Sequence, residues 1–194
     1  MSSTTAGAGA TPGDTARDWW ASICDPKRGD TAGRARLKRC RSATEALAIP
    51  AAVGLARRLG AIREPLDQRR LERALGLARV LAHVTSESAV TAMRAAGWGS
   101  FPGERREGDA EPGSRPRLSE VRFRRLLQTE GGEEQVVMFI RLVRLIDGQV
   151  NIAALARDYL TWDWDTTRHR WAFEYYAAGA AAPTSLQPTT RDEV

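Results

Sequence analysis

Apolar residues recur at intervals of three and four along most of this sequence, and proline or glycine interrupts the pattern repeatedly. The clearest stretch follows Pro65, where leucines and alanines up to Leu81 would fill one face of a helix and the charged residues within 69–73 would fill the other. No segment shows the sustained alternation of apolar and polar residues, flanked by hairpin turns, that is typical of strands. The spacing therefore predicts an all-α fold.

Capping residues and prolines divide the pattern into successive helices. In the first half we predict five helices: one that starts near Asp14 or Thr15, one over about 30–43, one from Pro50 to near Gly60, one that starts at Pro65, and one over Ser88 to Ala96. In the second half we predict four: Ser119 to Thr129, Glu133 to Asp147, one that starts at Asn151, and one over about Asp165 to Ala178.

A stretch rich in glycine, proline and charge separates the helices into two groups. A structureless loop as long as Gly97 to Pro116 is uncommon inside a compact domain unless it links domains or binds something. We therefore predict two small helical bundles, 14–96 and 118–178, joined by a linker at 97–117. The ends lack apolar periodicity, so 1–13 is predicted to be a disordered N-terminal tail and 179–194 a flexible C-terminal tail.

The positive charge is carried almost entirely by arginine. The net charge is +5, and all but two of the 29 basic residues are arginines, the exceptions being Lys27 and Lys38. The planar guanidinium suits phosphate oxygens, which favours a nucleic-acid partner. GC-rich codon usage explains the same count, so the positions of the arginines must decide between the two explanations.

Several classes of protein are disfavoured by what the sequence lacks. It has no apolar run near the roughly 20 residues that span a bilayer, and no secretion signal at the N-terminus. Cys24 and Cys40 have neither metal-site spacing nor a disulfide framework, which indicates a reducing compartment. We therefore expect a cytoplasmic protein that does not contact a membrane.

Catalytic motifs are also absent. His83 and His169 lack metal-like neighbours, and no P-loop, GxSxG, HExxH or CxxC motif occurs. The closest carboxylate pair is Asp163 and Asp165, which are expected to cap the final helix rather than to hold a metal. We predict no enzymatic activity, no cofactor, no metal site and no small-molecule substrate.

One short stretch concentrates positive charge without any acidic residue. Arg34, Arg36, Lys38, Arg39 and Arg41 fall within eight residues. A helix turns by 100° per residue, so Arg34, Lys38 and Arg41 would share one side. Their mutual repulsion calls for an anion, which either a phosphodiester chain or an acidic protein surface could supply.

Further basic clusters lie in the second half of the chain. Arg122, Arg124 and Arg125 form one cluster, and Arg141 with Arg144 forms another on the following helix. Together with the first cluster they could form a track for a single strand. The tryptophans of this half are expected in the core rather than stacked on bases, which predicts sequence-tolerant binding; these are Trp162, Trp164 and Trp171.

Several of these motifs resemble those of the CasB family. The resemblance covers most of Trp19 to Tyr176 and rests on the RARLKR run, the SEVRFRRLL helix, and LTW followed by RHRWAFEYY. It implies two helical bundles without enzymatic activity, forming the small subunit of the type I-E CRISPR Cascade complex. The implied partners are the guide RNA, the target and non-target DNA strands, other Cascade subunits and a second copy of the chain.

The resemblance also implies contact residues and a role. Base pairing would recognise the sequence while the protein contacts backbones, which would stabilise guide-target pairing and the displaced strand, the R-loop. The family's basic positions match Arg39 beside Lys38, then Arg122, then Arg141 or Arg144, with Arg168 and Arg170 in the last helix. The predicted nucleic-acid-binding set is Arg34, Arg36, Lys38, Arg39, Arg41, Arg122, Arg125, Arg141, Arg144 and Arg168. The alternative is a helical adaptor whose arginines bind acidic protein surfaces.

Overall fold

The computed structural model describes residues 10–97 and 116–177. Within these ranges the chain forms ten helices and one pair of two-residue strands, so the predicted all-α class is confirmed. In chain order the elements are α1 (Pro12–Cys24), α2 (Thr31–Arg39), α3 (Ala43–Leu47), α4 (Pro50–Arg58), α5 (Gln68–Ala82), β1 (Ser86–Glu87), α6 (Ala92–Ala96), α7 (Glu120–Leu127), α8 (Gly132–Leu145), β2 (Gln149–Val150), α9 (Ile152–Leu160) and α10 (Asp165–Ala177). No helix in the two described ranges is long and apolar enough to cross a membrane.

The predicted tails and linker fall largely outside the described residues, which exclude 1–9, 98–115 and 178–194. Where the N-terminal prediction can be compared, the first helix begins earlier than expected. Thr11 caps α1, because its hydroxyl oxygen accepts a hydrogen bond from the backbone N–H of Asp14 at 3.2 Å. The expected caps, Asp14 and Thr15, therefore lie inside the helix.

Helix α5 is the centre of the fold. Every residue from Ala74 to Ala82 is buried, so the second half of this helix is enclosed on all sides. Helices α2, α3, α4, α8 and α9 all pack against it. The position of α5 therefore determines how the neighbouring helices, including the two that carry basic clusters, sit relative to each other.

Elements from both halves of the sequence pack together. Helix α1 packs against α9, and β1 pairs in parallel with β2, with Ser86 opposite Gln149. Buried apolar side chains from α1 through α10 form one contiguous cluster. The division into two bundles stays a prediction, because most of the linker that would separate them lies outside the described residues.

The short helix predicted over Ser88 to Ala96 begins only at Ala92, because the chain forms β1 at Ser86–Glu87 and Thr91 is the N-cap residue of α6.

Two further helix boundaries differ from the sequence prediction. The predicted helix over 30–43 ends at Arg39, and Ser42 caps the separate helix α3 by accepting the backbone N–H of Glu45 at 3.1 Å. The helix expected to start at Pro65 starts at Gln68 instead, because the Asp67 carboxylate accepts the backbone N–H of Arg70 at 3.0 Å. In both cases a side-chain cap sets the boundary.

Two of the three tryptophans in the second half lie in the core as predicted. Trp162 and Trp171 are 0% and 1% exposed, and their rings meet at 4.8 Å. The prediction is wrong for Trp164, which is 63% exposed. Trp164 lies in the turn before α10, where its carbonyl accepts the backbone N–H of Thr167, and its side chain is on the outside of that turn.

The contact of α5 with α8 and α9 requires a glycine. A Cβ added at Gly76 would lie 2.3 Å from the hydroxyl oxygen of Tyr159 and 2.8 Å from a methyl carbon of Val136. Tyr159 is 1% exposed, so its ring is held by the surrounding core. We expect Gly76→Ala to lower the free energy of unfolding by about 1–3 kcal/mol, measured by urea denaturation.

The matched control is Gly54→Ala in α4. A Cβ at Gly54 has no heavy atom within 4 Å, so alanine should fit there without a clash. Because alanine is the better helix former, this variant should gain about 0.5–1 kcal/mol. Equal effects of the two substitutions would mean that the packing described around Gly76 is wrong.

Candidate nucleic-acid interface

The basic residues of α2 lie on two sides of a buried leucine. Leu37 is 1% exposed and anchors the helix in the core. Arg34 and Lys38 are one turn apart and share one side. Arg36 lies on another side, where its guanidinium donates to the carbonyl oxygen of Ala48 at 3.2 Å. The cluster predicted from sequence is therefore divided by the fold.

Arg34 fixes the chain at the end of α5. Its Nε donates to the carbonyl oxygen of Ala82 at 3.0 Å, and its Nη2 donates to the carbonyl oxygen of Val84 at 2.5 Å. The residue between these two carbonyls is His83, the C-cap of α5. Arg34 thus uses two of its five N–H groups in hydrogen bonds to the backbone, which hold the His83 segment beside α2.

Positive side chains from both halves of the chain meet at this point. Burial lowers the pKa of Lys38, and the charges of Arg34 and Arg144 lower it further. The pKa of His83 is lowered to about 4 by burial, then by Arg144, Lys38, Arg34 and Arg79. We call Arg34, Lys38, His83 and Arg144 the basic junction, since α2, the end of α5 and α8 come together there.

No carboxylate within the described residues forms an ion pair with Lys38, Arg34 or Arg144. Among the described residues the side chains that shift the pKa values of Lys38 and His83 are four cations and the thiol of Cys24, and none of them is a carboxylate. Elsewhere the same fold does pair its arginines: Arg79, for example, donates to both oxygens of Glu133 at 2.6 and 2.7 Å. Within the two described ranges the positive charge of the basic junction is therefore uncompensated.

The remaining basic residues near α2 differ in their surroundings. Arg39 is exposed and its side chain has no partner among the described residues. Arg41 lies beyond the end of α2, and its backbone N–H donates to the Glu45 carboxylate at 3.0 Å. The expectation that Arg41 shares a helix face with Arg34 and Lys38 is therefore wrong, because α2 ends at Arg39.

Some arginines of the two basic clusters on α7 and α8 form ion pairs, and others do not. Arg124 pairs with Glu120 at 2.6 Å, and Arg125 lies 4.0 Å from a carboxylate oxygen of Glu134. Among the described residues the exposed Arg122 has no partner. Arg141 and Arg144 are also exposed and lie one turn apart near the end of α8, where Arg141 has only a 4.0 Å contact with the sulfur of Met138.

The two arginines of α10 are engaged in packing. Arg168 donates to the carbonyl oxygen of Thr129 at 3.1 Å, and its guanidinium lies 5.8 Å from the ring centre of Trp162. Arg170 donates to Asp158, which is buried. The geometry gives both side chains partners within the protein.

Two features of this surface are not predictable from local sequence patterns. Asp163 was expected to cap the last helix, but its Oδ2 accepts from Arg69 at 2.8 Å and also from Arg73, which ties α9 and α10 to α5. The second feature is His83, the C-cap residue of α5, which Arg34 of α2 holds in place by hydrogen bonds to the carbonyl oxygens of Ala82 and Val84. No local pattern predicts this position, because the other three residues of the basic junction come from distant parts of the chain.

The chemistry available here is the binding of anions. The basic junction consists of three cationic side chains and one imidazole, and a phosphate group would relieve the repulsion among the three cations. Among the described residues no group of three histidine, cysteine or acidic side chains could hold a metal ion.

Comparison with known proteins identifies the family. Residues 33–176 match the family described as CRISPR-associated protein Cse2. The crystal structure of CasB from Thermus thermophilus is similar in fold, with a TM-score of 0.60 and 24% sequence identity, over 87% of this chain and 100% of that chain. No curated protein matches the chain. Since the family match covers most of the chain, the protein belongs to the Cse2 (CasB) family, the small subunit of the type I-E Cascade complex.

Proposed function

We propose that this protein is a non-enzymatic nucleic-acid-binding subunit of Cascade that holds phosphate backbones without reading their sequence. In this role it stabilises the pairing of guide RNA with target DNA and the displaced DNA strand. Its partners are those nucleic acids, the other Cascade subunits and a second copy of the chain, in the cytoplasm.

The observation that supports this proposal best is the uncompensated charge of the basic junction. Lys38 and Arg144 come from opposite halves of the chain and repel each other, yet no acidic side chain of the described residues acts on Lys38. Proteins more often separate or pair such charges than hold them together. A polyanion that neutralises both charges accounts for their persistence, and exposed Arg39 and Arg141 extend the positive surface around them.

The test is the salt dependence of binding by the purified protein. We expect labelled single-stranded DNA and an RNA-DNA duplex to bind with a slope of log K against log salt of roughly −3, as for three to five neutralised phosphates. Homopolymers of different base should bind within a few-fold of each other. The probes should stay intact in Mg²⁺ or Mn²⁺, and a protein-dependent cleavage product would contradict the non-enzymatic role.

The adaptor alternative makes the opposite prediction. An adaptor whose arginines bind acidic protein surfaces would show no salt-dependent affinity for either probe. A photoreactive group placed at position 39 of the assembled complex would then crosslink to protein alone. Crosslinks to nucleic acid at that position are the result expected for our proposal.

A further inference from the structure

His83 has a defined place at the centre of the basic junction. It is the C-cap residue of α5, and the two hydrogen bonds from Arg34 to the carbonyl oxygens of Ala82 and Val84 hold its backbone from both sides. The indole N–H of Trp20 also donates to the carbonyl oxygen of Val84, at 3.4 Å. The imidazole is only partly exposed. Its position is therefore set by the surrounding helices rather than by a flexible loop.

Among the described residues the charged groups that act on this imidazole are all cations, and the carboxylate of Asp147, just after α8, pairs with Arg117 at 3.0 Å instead. Arg34 and Lys38 belong to α2, Arg144 to α8 and Arg79 to α5 itself. Arg79 is already neutralised by its two hydrogen bonds to Glu133. From α1 the thiol of Cys24 faces Arg34 and Lys38, and burial raises its pKa, which favours the neutral thiol. Lys38 and Arg144 are thus the exposed cations left to bind an anion.

We propose that Lys38, Arg144 and protonated His83 together form a seat for a single phosphate group, and that binding of the phosphate is accompanied by uptake of one proton from solvent onto His83. The proposal rests on the function proposed above and deepens it, because it names the side chains that hold one phosphodiester of the bound strand. One of them, His83, is neutral before the phosphate binds and protonated afterwards.

The proton uptake follows from a change in the sign of the electrostatic potential at the His83 imidazole when a phosphate binds. Without an anion, burial and the neighbouring cations keep His83 neutral, with a pKa of about 4. A phosphate between Lys38 and Arg144 places a negative charge beside the imidazole, and a nearby opposite charge favours the protonated form. The imidazolium can then donate a charge-assisted hydrogen bond to a phosphate oxygen. Binding and protonation should therefore strengthen each other.

The first experiment follows the two histidines by NMR in the whole protein. The chain has only His83 and His169, so two imidazole signals are expected, and exposed His169 serves as the internal reference. Inorganic phosphate, with sodium chloride at equal ionic strength as the comparison, should raise the pKa of His83 by about 1 or more. The effect should disappear in Arg144→Ala and persist in Arg58→Ala, an exposed arginine of α4 that does not act on His83.

The second experiment measures binding of single-stranded DNA at two pH values. If the strand raises the pKa of His83 by about 2, affinity should increase roughly tenfold between about pH 7 and pH 5. His83→Gln should lose this increase, whereas Arg58→Ala, which does not act on His83, should bind like the wild type at both pH values. Far-UV circular dichroism checks that the variant stays helical.

The outcomes separate the two proposals. DNA binding with identical pH dependence in wild type and His83→Gln would overturn the phosphate seat and leave the proposed function standing. Absence of DNA binding would overturn the proposed function, while the NMR titration would still decide whether the seat exists. A His83 signal that responds equally to phosphate and chloride would show that no such seat forms.

Discussion

Replacing Lys38, Arg141 and Arg144 together by alanine is expected to weaken binding of single-stranded DNA by about 100-fold at moderate salt. Each charge-assisted contact with a phosphate contributes about 1 kcal/mol or more, so losing three costs about 3 kcal/mol, and tenfold in affinity corresponds to about 1.4 kcal/mol. The slope of log K against log salt should also become less steep by about 2 to 3, because fewer counterions are released. Fluorescence anisotropy over a salt series measures both quantities.

The same variant should not lose stability. Lys38 and Arg144 repel one another and have no acidic partner among the described residues, so removing them breaks no ion pair. The matched control replaces Arg57, Arg58 and Arg70, three exposed arginines on α4 and α5 that form no ion pair within 10–97 and 116–177. The control removes the same charge, so a similar loss of affinity in both variants would contradict a localised interface.

A further single variant tests how far the interface extends. Arg122 on α7 is exposed and has no partner in the part of the chain that the structure describes, whereas its neighbour Arg124 pairs with Glu120. If a strand continues from the basic junction to α7, Arg122→Ala should weaken binding several-fold, by about 1 kcal/mol, and Arg124→Ala should have less effect. Equal, negligible effects would limit the interface to α2 and α8.

The largest effect on stability is expected at Asp158. This carboxylate is 3% exposed and accepts the indole N–H of Trp171 at 2.7 Å, the Nε–H of Arg157 at 3.0 Å and an Nη2–H of Arg170 at 2.5 Å. Asp158→Ala leaves the buried indole N–H without an acceptor. We expect the free energy of unfolding to fall by about 3 kcal/mol, less than for a fully enclosed pair because both arginines partly reach solvent.

Two variants sharpen this result. Asp158→Asn keeps the side-chain volume and one acceptor for Trp171 but removes the charge, so its loss should be intermediate. Arg124→Ala breaks the exposed pair with Glu120 and should cost about 0.5 kcal/mol. Urea denaturation followed by tryptophan fluorescence gives all three values. Should Asp158→Ala cost no more than Arg124→Ala, the buried hydrogen bonds would contribute nothing measurable.

Local pattern was sufficient for the helices and for part of the core. The three-to-four spacing of apolar residues predicted the helical class, and Asn151 caps α9 as expected by accepting the backbone N–H of Ala154 at 2.8 Å. The burial of Trp162 and Trp171 was also predictable from their place on apolar faces. The failures at α2 and Pro65 are local too: a capping Ser42 or Asp67 competes with the apolar pattern, and the cap sets the boundary.

The helical class, the family and the basic stretches can be predicted from sequence, because each depends on residues close together in the chain. Tertiary structure alone decided which arginines are paired. Arg79 meets Glu133, and Arg73 meets Asp163, across distances in sequence that no periodicity encodes. It also decided that the end of α5, with His83, lies beside α2, where Arg34 holds it by two hydrogen bonds. Electrostatic interaction depends on separation in space, and the packing of α2 and α8 around α5 sets that separation.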